Sequence, residues 1–342
     1  MTRLLARIGL VATVALVPAS AATAESVAEF YKGKTINIII GAGPGGPYDN
    51  LARTFAQHVR RFIPGNPTMV PQNMAGASSL RAAEYLYNVA PRNGTVLGVL
   101  QSMIILDKLI DPTEKIEPQK LGWLGRVQPL DNVGIAWHTT GVRTIAEARQ
   151  KAIIYGANSG IGTTSIIPWA LNRFVGTRFN VIPGYESQTT ELLAMERGEI
   201  EGIGSVSMAD LTAKPGWIGD KIAVLYTTTA SRQAELPEVP AIPELAADEA
   251  GRAVLGVLAS MSDIGHTVAA PPGVPADRLQ ALRDAFARLV VDPSFVEEAT
   301  RRGIHVMPRS AEEITQSVEQ DMSLPPAMVG ALKALTVAPA AR

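Results

Sequence analysis

Two hydrophobic patterns alternate along this chain. Short β-branched runs such as 35-TINIII-40 and 96-VLGVL-100 are bounded by turn formers, and between such runs apolar residues recur every three or four positions. The runs predict buried strands and the spaced positions predict amphipathic helices, so the class is α/β. In the first part a strand is expected over 35–40. A helix follows over 47–63, with Leu51, Phe55, Val59, Phe62 and Ile63 on one face. The run 64-PGNP-67 breaks it, and 68–70 makes a second strand. A helix over 79–88, a turn at 91-PRNG-94 and a strand over 96–100 come next.

The polar, proline-containing stretch 107–121 reads as a connection. A second series then begins, with strands over 132–137, 151–156, 179–182, 200–206 and 222–226. Helices over 165–175 and 189–197 alternate with them, the latter stopped by Gly198. The run 237-PEVPAIPEL-245 reads as a surface crossover. Beyond it, 254–261 and 267–269 look like strands. Pro275 opens a helix with Leu279, Leu282, Phe286, Leu289 and Val290 on one stripe. Helical pattern then continues to the C-terminus, interrupted at Pro325-Pro326. No short internal repeat is present, but each half holds one strand–glycine loop–helix unit.

The N-terminus changes the picture of where the protein works. Arg3 and Arg7 precede an apolar run over 8–17, and Ala22-Thr23-Ala24 forms an A-x-A site. This reads as a secretory signal peptide cut after Ala24, too short in its apolar part to span a bilayer as a stable helix. No later segment is long and apolar enough to be a membrane span. An exported, periplasmic protein is expected, with enough chain left for two domains of ordinary size. The hydrophobic fraction of 46% is ample for full cores. A net charge of −1, with both signs interspersed, argues against nucleic acid or an anionic membrane as partner. There are no cysteines, so the fold holds without disulfides, and thiolate chemistry is excluded.

Candidate chemistry concentrates in the two glycine loops. The first is 41-GAGPGGPYD-49, whose Gly41, Gly43 and Gly46 have G-x-G-x-x-G spacing. Pro47 suits the first helical position, and Gly45 and Gly46 leave the backbone open to close approach. Free amides at a helix start, with the dipole behind them, favour a carboxylate or phosphate. Asp49, in the first turn, is expected to satisfy backbone amides rather than meet an anion. The second loop is 158-NSGIGTTS-165, where Gly160 and Gly162 free the backbone and Thr163, Thr164 and Ser165 supply hydroxyls. Pro168 places the helix start near Ser165, since proline is tolerated in the first turn. Two such helix starts, one per half, could grip opposite ends of a small anion.

A dinucleotide site would need an acidic residue about 20 positions beyond the glycines. The second strand instead ends Pro71-Gln72-Asn73. His58, His138, His266 and His305 are scattered without metal-ligand spacing, and no G-x-S-x-G elbow supports a serine nucleophile. No catalytic constellation, metal or cofactor is expected. An exported flavin or nicotinamide oxidoreductase using the G-x-G-x-x-G turn is the alternative, and a flavin would colour the purified protein.

Five further stretches sharpen this: 31-YKGKTINIIIGAGPGGPYDNLAR-53, 72-QNMAGASSLRAAEYLYNVAPRNGTVLG-98, 156-GANSGIGTTS-165, 185-YESQTTELLAMERGEIEG-202 and 270-APPGVPADRLQALRDAFARLVVDPSFVEEATRRG-303. In order and spacing the chain resembles the periplasmic receptors of tripartite tricarboxylate transporters, the TctC or Bug family. The resemblance runs through almost the whole chain after the leader. It implies a two-lobed periplasmic binding protein fold, type II-like, with a hinge. Domain 1 would combine 25–127 with 255–342, and domain 2 would be 128–254. The implied ligand is a small carboxylate: a di- or tricarboxylate, an acidic amino acid or an aromatic acid. The implied contacts are Pro44, Gly45, Gly46 and Asp49, then Gly76, Ala77 and Ser78, with Ser102 after the third strand. Across the hinge they are Gly160, Gly162, Thr163, Thr164 and Tyr185. The implied protein partners are the permease subunits, served by a monomeric receptor; a sensor docking on a signalling receptor would bind the same ligand.

The chain departs from the family pattern at three places. The loop 76-GASS-79 stands where Gly-Ala-Gly-Gly is common, 93-NGTV-96 replaces Asp-Gly-Tyr-Thr, and 185-YES-187 lacks the glycine of Tyr-x-Gly. These are pocket loops, so the resemblance does not carry the identity of the ligand.

Overall fold

The computed structural model describes residues 25–158 and 162–336. The expected leader and Gly160 lie outside the described residues. In chain order the first part contains α1 (Val27–Tyr31), β1 (Thr35–Ile40), α2 (Pro47–Val59), β2 (Thr68–Asn73), α3 (Leu80–Glu84), β3 (Val96–Leu100), α4 (Met103–Ile110) and β4 (Gly122–Gln128). Strand β1 lies between β2 and β3 and is parallel to both. Its isoleucines show why such a run is apolar throughout. Ile36, Ile38 and Ile40 join one core with Leu51 and Phe55 of α2, whereas Ile39 points into another core with Leu86 and Trp123. A strand covered on both faces needs apolar residues at every position.

The middle part builds a second sheet. It comprises β5 (Asn132–Trp137), α5 (Ile145–Ala148), β6 (Ile153–Ala157), α6 (Thr163–Phe174), β7 (Phe179–Pro183), α7 (Gln188–Glu196), β8 (Gly202–Ser207), α8 (Met208–Thr212) and β9 (Ile222–Thr227). The chain then runs through α9 (Glu249–Ile264), β10 (His266–Ala270), α10 (Ala276–Leu289), α11 (Pro293–Arg301), β11 (Arg309–Ser310), α12 (Ala311–Met322) and α13 (Pro326–Thr336). Strand β10 inserts antiparallel between β3 and β4 of the first sheet. The sheet orders are β11-β4-β10-β3-β1-β2 and β7-β6-β8-β5-β9. The architecture is a two-lobed α/β binding-protein fold, as the sequence predicts.

The chain crosses between the sheets after β4 and again after β9. The crossings are bonded to each other: the Leu130 amide donates to the Ser262 carbonyl at 2.8 Å, and the Thr228 amide to the Asn132 carbonyl at 2.9 Å. The Ser262 hydroxyl donates to Thr228 Oγ1 at 3.0 Å. These bonds hold the two crossings in register.

Four expectations need correction. The run 254–261 is part of helix α9, not a strand; Asp248 caps that helix by accepting the Gly251 amide at 2.7 Å. Its less buried positions Arg252, Gly256, Ser260 and Asp263 recur at helical spacing, but within 254–261 that face is only Gly256 and Ser260, small residues that leave the run looking like a continuous apolar strand. Helix α4 extends into the stretch read as a connection, ending at Ile110. Strand β4, almost wholly buried, was not anticipated. Finally, α6 starts at Thr163, which puts Pro168 in the second turn. The ring is accommodated because Gly204 of β8 has no side chain: a Cβ there would meet Pro168 Cγ at 2.2 Å.

Candidate ligand cleft

The loop between β1 and α2 is shaped from within. Gly45 has φ +83°, a left-handed conformation that suits glycine. Its amide donates to Asp49 Oδ2 at 2.9 Å. The same carboxylate accepts Arg53 Nε at 2.9 Å and Asn73 Nδ2 at 2.8 Å. Asp49 is buried, and the Arg53 hydrogen bond, with smaller help from Gly45 and Asn73, lowers its pKa to about 2. It is therefore ionised and occupied by partners of its own loop, in keeping with the amide-satisfying role read from the sequence. Helix α2 opens at Gly46, which has no side chain to cap it, and Pro47 takes the first position.

A second loop meets the first through Ser79. Its hydroxyl donates to the Gly41 carbonyl at 2.7 Å and accepts the Gln101 amide at 3.0 Å. Ser79 so fills the space beside Gly41 that a Cβ there would lie 2.1 Å from Ser79 Oγ. Ala77, Ser78 and Ser79 have φ of 45°, 48° and 78°. Three consecutive non-glycine residues in the left-handed region are strained by about 1–2 kcal/mol each. Glycine at these positions would relieve that strain.

Across the cleft, α6 opens at Gly162, again without a side-chain cap. Thr164 closes the preceding loop: its hydroxyl donates to Asn158 Oδ1 at 2.9 Å and accepts the Asn158 amide at 3.2 Å. The start of α7 adds Ser187 and Gln188, and Gln188 Nε2 donates to the Asp210 carboxylate. Ser205 accepts Asn132 Nδ2 at 3.0 Å.

These elements line one cleft of ≈ 1040 Å³. Among the sequence-predicted residues, Gly45, Gly46, Asp49, Ser78, Ser102, Gly162, Thr163 and Thr164 line it. Ser102 is buried and its hydroxyl already donates to the Met261 carbonyl at 2.7 Å. Pro44, Gly76 and Ala77 are exposed beside the cleft and are not lining residues. Tyr185 does not line it either; it lies over Gly156, where a Cβ would sit 3.2 Å from its ring. The sequence reading missed part of the wall, near the crossings between the sheets: Tyr48, Gln128, Asp131, His266 and His305. Tyr48 falls within the first glycine loop, but no local motif marks the others, which converge from three segments of the chain. Burial lifts the Asp131 pKa and drops that of His266 to about 4.

Comparison with known proteins agrees with this geometry. The model of the tripartite tricarboxylate transporter family receptor matches residues 51–332. A UPF0065 protein from the gbd 5′ region of Cupriavidus necator is 24% identical over 311 residues, covering 87% of each chain. A TctC solute-binding protein from Polaromonas superposes with a TM-score of 0.68 at 21% identity, covering 89% of this chain and 98% of that one. MatC from Rhodopseudomonas palustris, solved with bound malate, gives 0.63 at 16% identity over 89% of this chain and 99% of its own. These structural likenesses show the fold. With two uncapped helix starts facing one cleft and a family match over most of its length, the chain belongs to the tripartite tricarboxylate transporter receptor family, as a periplasmic solute receptor and not an enzyme.

Proposed function

We propose that this receptor binds a small carboxylate in the cleft and delivers it to the permease of a tripartite tricarboxylate transporter. One observation carries the reading: the uncapped N-termini of α2 and α6, one from each lobe, line the same cleft. Each presents a helix start without a side-chain cap and the positive end of a helix dipole, which favour a negative group. The malate bound by MatC supports the ligand class. The contacts are the backbone of Gly46 with Ser78 on one side, and Gly162, Thr163 and Thr164 on the other; the Gly45 amide is already given to Asp49. Asp49 acts by holding the loop.

The cleft's ≈ 1040 Å³ lies at the top of the usual range for small-molecule sites, roughly 300–1,000 Å³. That size fits an open form that closes by rotation at the crossings near 128–132 and 227–265. We assign the lobes to 25–127 with 255–342 and to 128–254, the second boundary falling within α9. Cleavage after Ala24 would release the receptor as a monomer. Isothermal titration of the purified protein against di- and tricarboxylates, aromatic acids and acidic amino acids tests the reading. Saturable binding of a carboxylate is expected; binding only of uncharged solutes would sink it.

A further inference from the structure

His266, the first residue of β10, is 3% exposed and lines the cleft beside Tyr48, the second residue of α2. Their ring centroids are 4.2 Å apart. The His266 tautomer follows from its neighbours. Gln128 Oε1 accepts the His305 backbone amide at 2.7 Å. A backbone amide is a donor, so this bond settles which end of the Gln128 amide is oxygen. The other end, Nε2, lies 3.3 Å from His266 Nδ1 and donates to it. Nδ1 is then the acceptor, and a neutral ring must carry its proton on Nε2. Burial alone, with no charged neighbour contributing, keeps the ring neutral at physiological pH.

That Nε2–H is buried and has no partner among the described residues. A buried donor without an acceptor is costly and is retained where something else meets it. The Tyr48 ring covers this part of the wall, and Tyr48 belongs to the same helix start that offers free amides. We propose that His266 is a ligand-orienting residue: when Tyr48 turns aside, its Nε2–H donates to an oxygen of a carboxylate held at the start of α2. The inference rests on the carboxylate reading of the cleft. It makes His266 a neutral donor, which selects for an acceptor oxygen at this point and rejects an ammonium or other cationic group there.

Two measurements test it. The first needs no ligand: ¹⁵N spectra of histidine-labelled protein at neutral pH should show His266 protonated on Nε2 and bare on Nδ1. An Nδ1–H tautomer, or an imidazolium, overturns the inference and leaves the carboxylate reading intact. The second is calorimetry with malate, citrate and benzoate as probes. His266→Phe keeps the ring and removes the N–H, and should weaken the best probe roughly 10- to 100-fold, the usual range for a lost hydrogen bond to a charged group. His266→Gln, which restores a donor, should recover part of that loss and serves also if the Phe variant does not fold. Wild-type binding with unchanged affinity in both variants overturns the role of His266 alone. A wild type that binds none of a broad carboxylate panel overturns the carboxylate reading and this inference with it.

Discussion

Asp49 accepts the Gly45 amide at 2.9 Å, so the first turn of α2 reaches back and fixes the loop that precedes it. The carboxylate is lent to the protein's own backbone. Gly46, having no side chain, leaves its peptide group open to the cleft, while the Gly45 amide is taken by Asp49. At a helix start that binds an anion, as proposed, an acidic residue would otherwise oppose the ligand. Here its charge is balanced by Arg53.

This pairing gives a pH signature. The folded-state pKa of Asp49 is lowered to about 2 from 3.8, chiefly by Arg53. Its contribution to stability is thus present above the ordinary value and is lost as pH falls through about 2. Arg53 is 43% exposed, so solvent screening reduces the effect to about 1–2 kcal/mol. Asp49→Asn should lower stability by that amount at pH 7, with the gap to wild type closing as pH falls from 4 to 2. Chemical denaturation across that range measures it.

Gly46 tests the helix start directly. It has φ −85° and a Cβ placed there meets nothing within 4 Å. Gly46→Asp should therefore fold, with stability equal or higher, because aspartate is a good N-cap. The new carboxylate takes the free amides and repels an anion, so carboxylate binding should be abolished. A folded variant with unchanged calorimetric affinity would place the site elsewhere.

The strained loop offers a stabilising change. Ser78 is exposed, has φ 48°, and forms no hydrogen bond of its own among those described. Ser78→Gly should stabilise the protein by about 0.5–1 kcal/mol, strain relief being partly offset by the greater freedom of glycine in the unfolded chain. At Ser79 the balance reverses, since Ser79→Gly also loses the bonds to Gly41 and Gln101. Paired thermal melts of the two variants separate the effects: Ser78→Gly should melt above the wild type and Ser79→Gly below.

Glu191 is fully buried in α7, and neither carboxylate oxygen has a hydrogen-bond partner among the described residues. Burial raises its pKa to about 8 from 4.5. The unfolded chain therefore ionises first, and stability declines as pH rises from 4.5 to 8, then levels. Glu191→Gln cannot ionise, so its advantage over wild type should grow across that window to roughly 4 kcal/mol at pH 8, at about 1.4 kcal/mol per pKa unit. A parallel pH dependence in the two proteins would show that Glu191 ionises freely in the folded state.

Much of the fold was legible because its signals are local. Residues 47–63 announce a helix through Leu51, Phe55 and Val59, and 35–40 announce a buried strand through four isoleucines. The glycine loops were legible for the same reason: a strand, glycines and a helix start lie within a dozen residues. Helix α9 was not, since within the run 254–261 its open face is Gly256 and Ser260, small residues that do not break the apolar pattern. Nor could spacing reveal that Gly204 makes room for Pro168, a contact between residues 36 apart in sequence.

By itself the sequence determined the α/β class, the two glycine loops that open helices and the family resemblance, each of which depends on neighbouring residues. Tertiary structure alone decided that the starts of α2 and α6 line one cleft. It also brought Tyr48, Gln128, His266 and His305 together, and with them set which nitrogen of His266 carries the proton. The reason is physical: a hydrogen bond between distant segments has no local trace, because its geometry is set by the packing of whole elements.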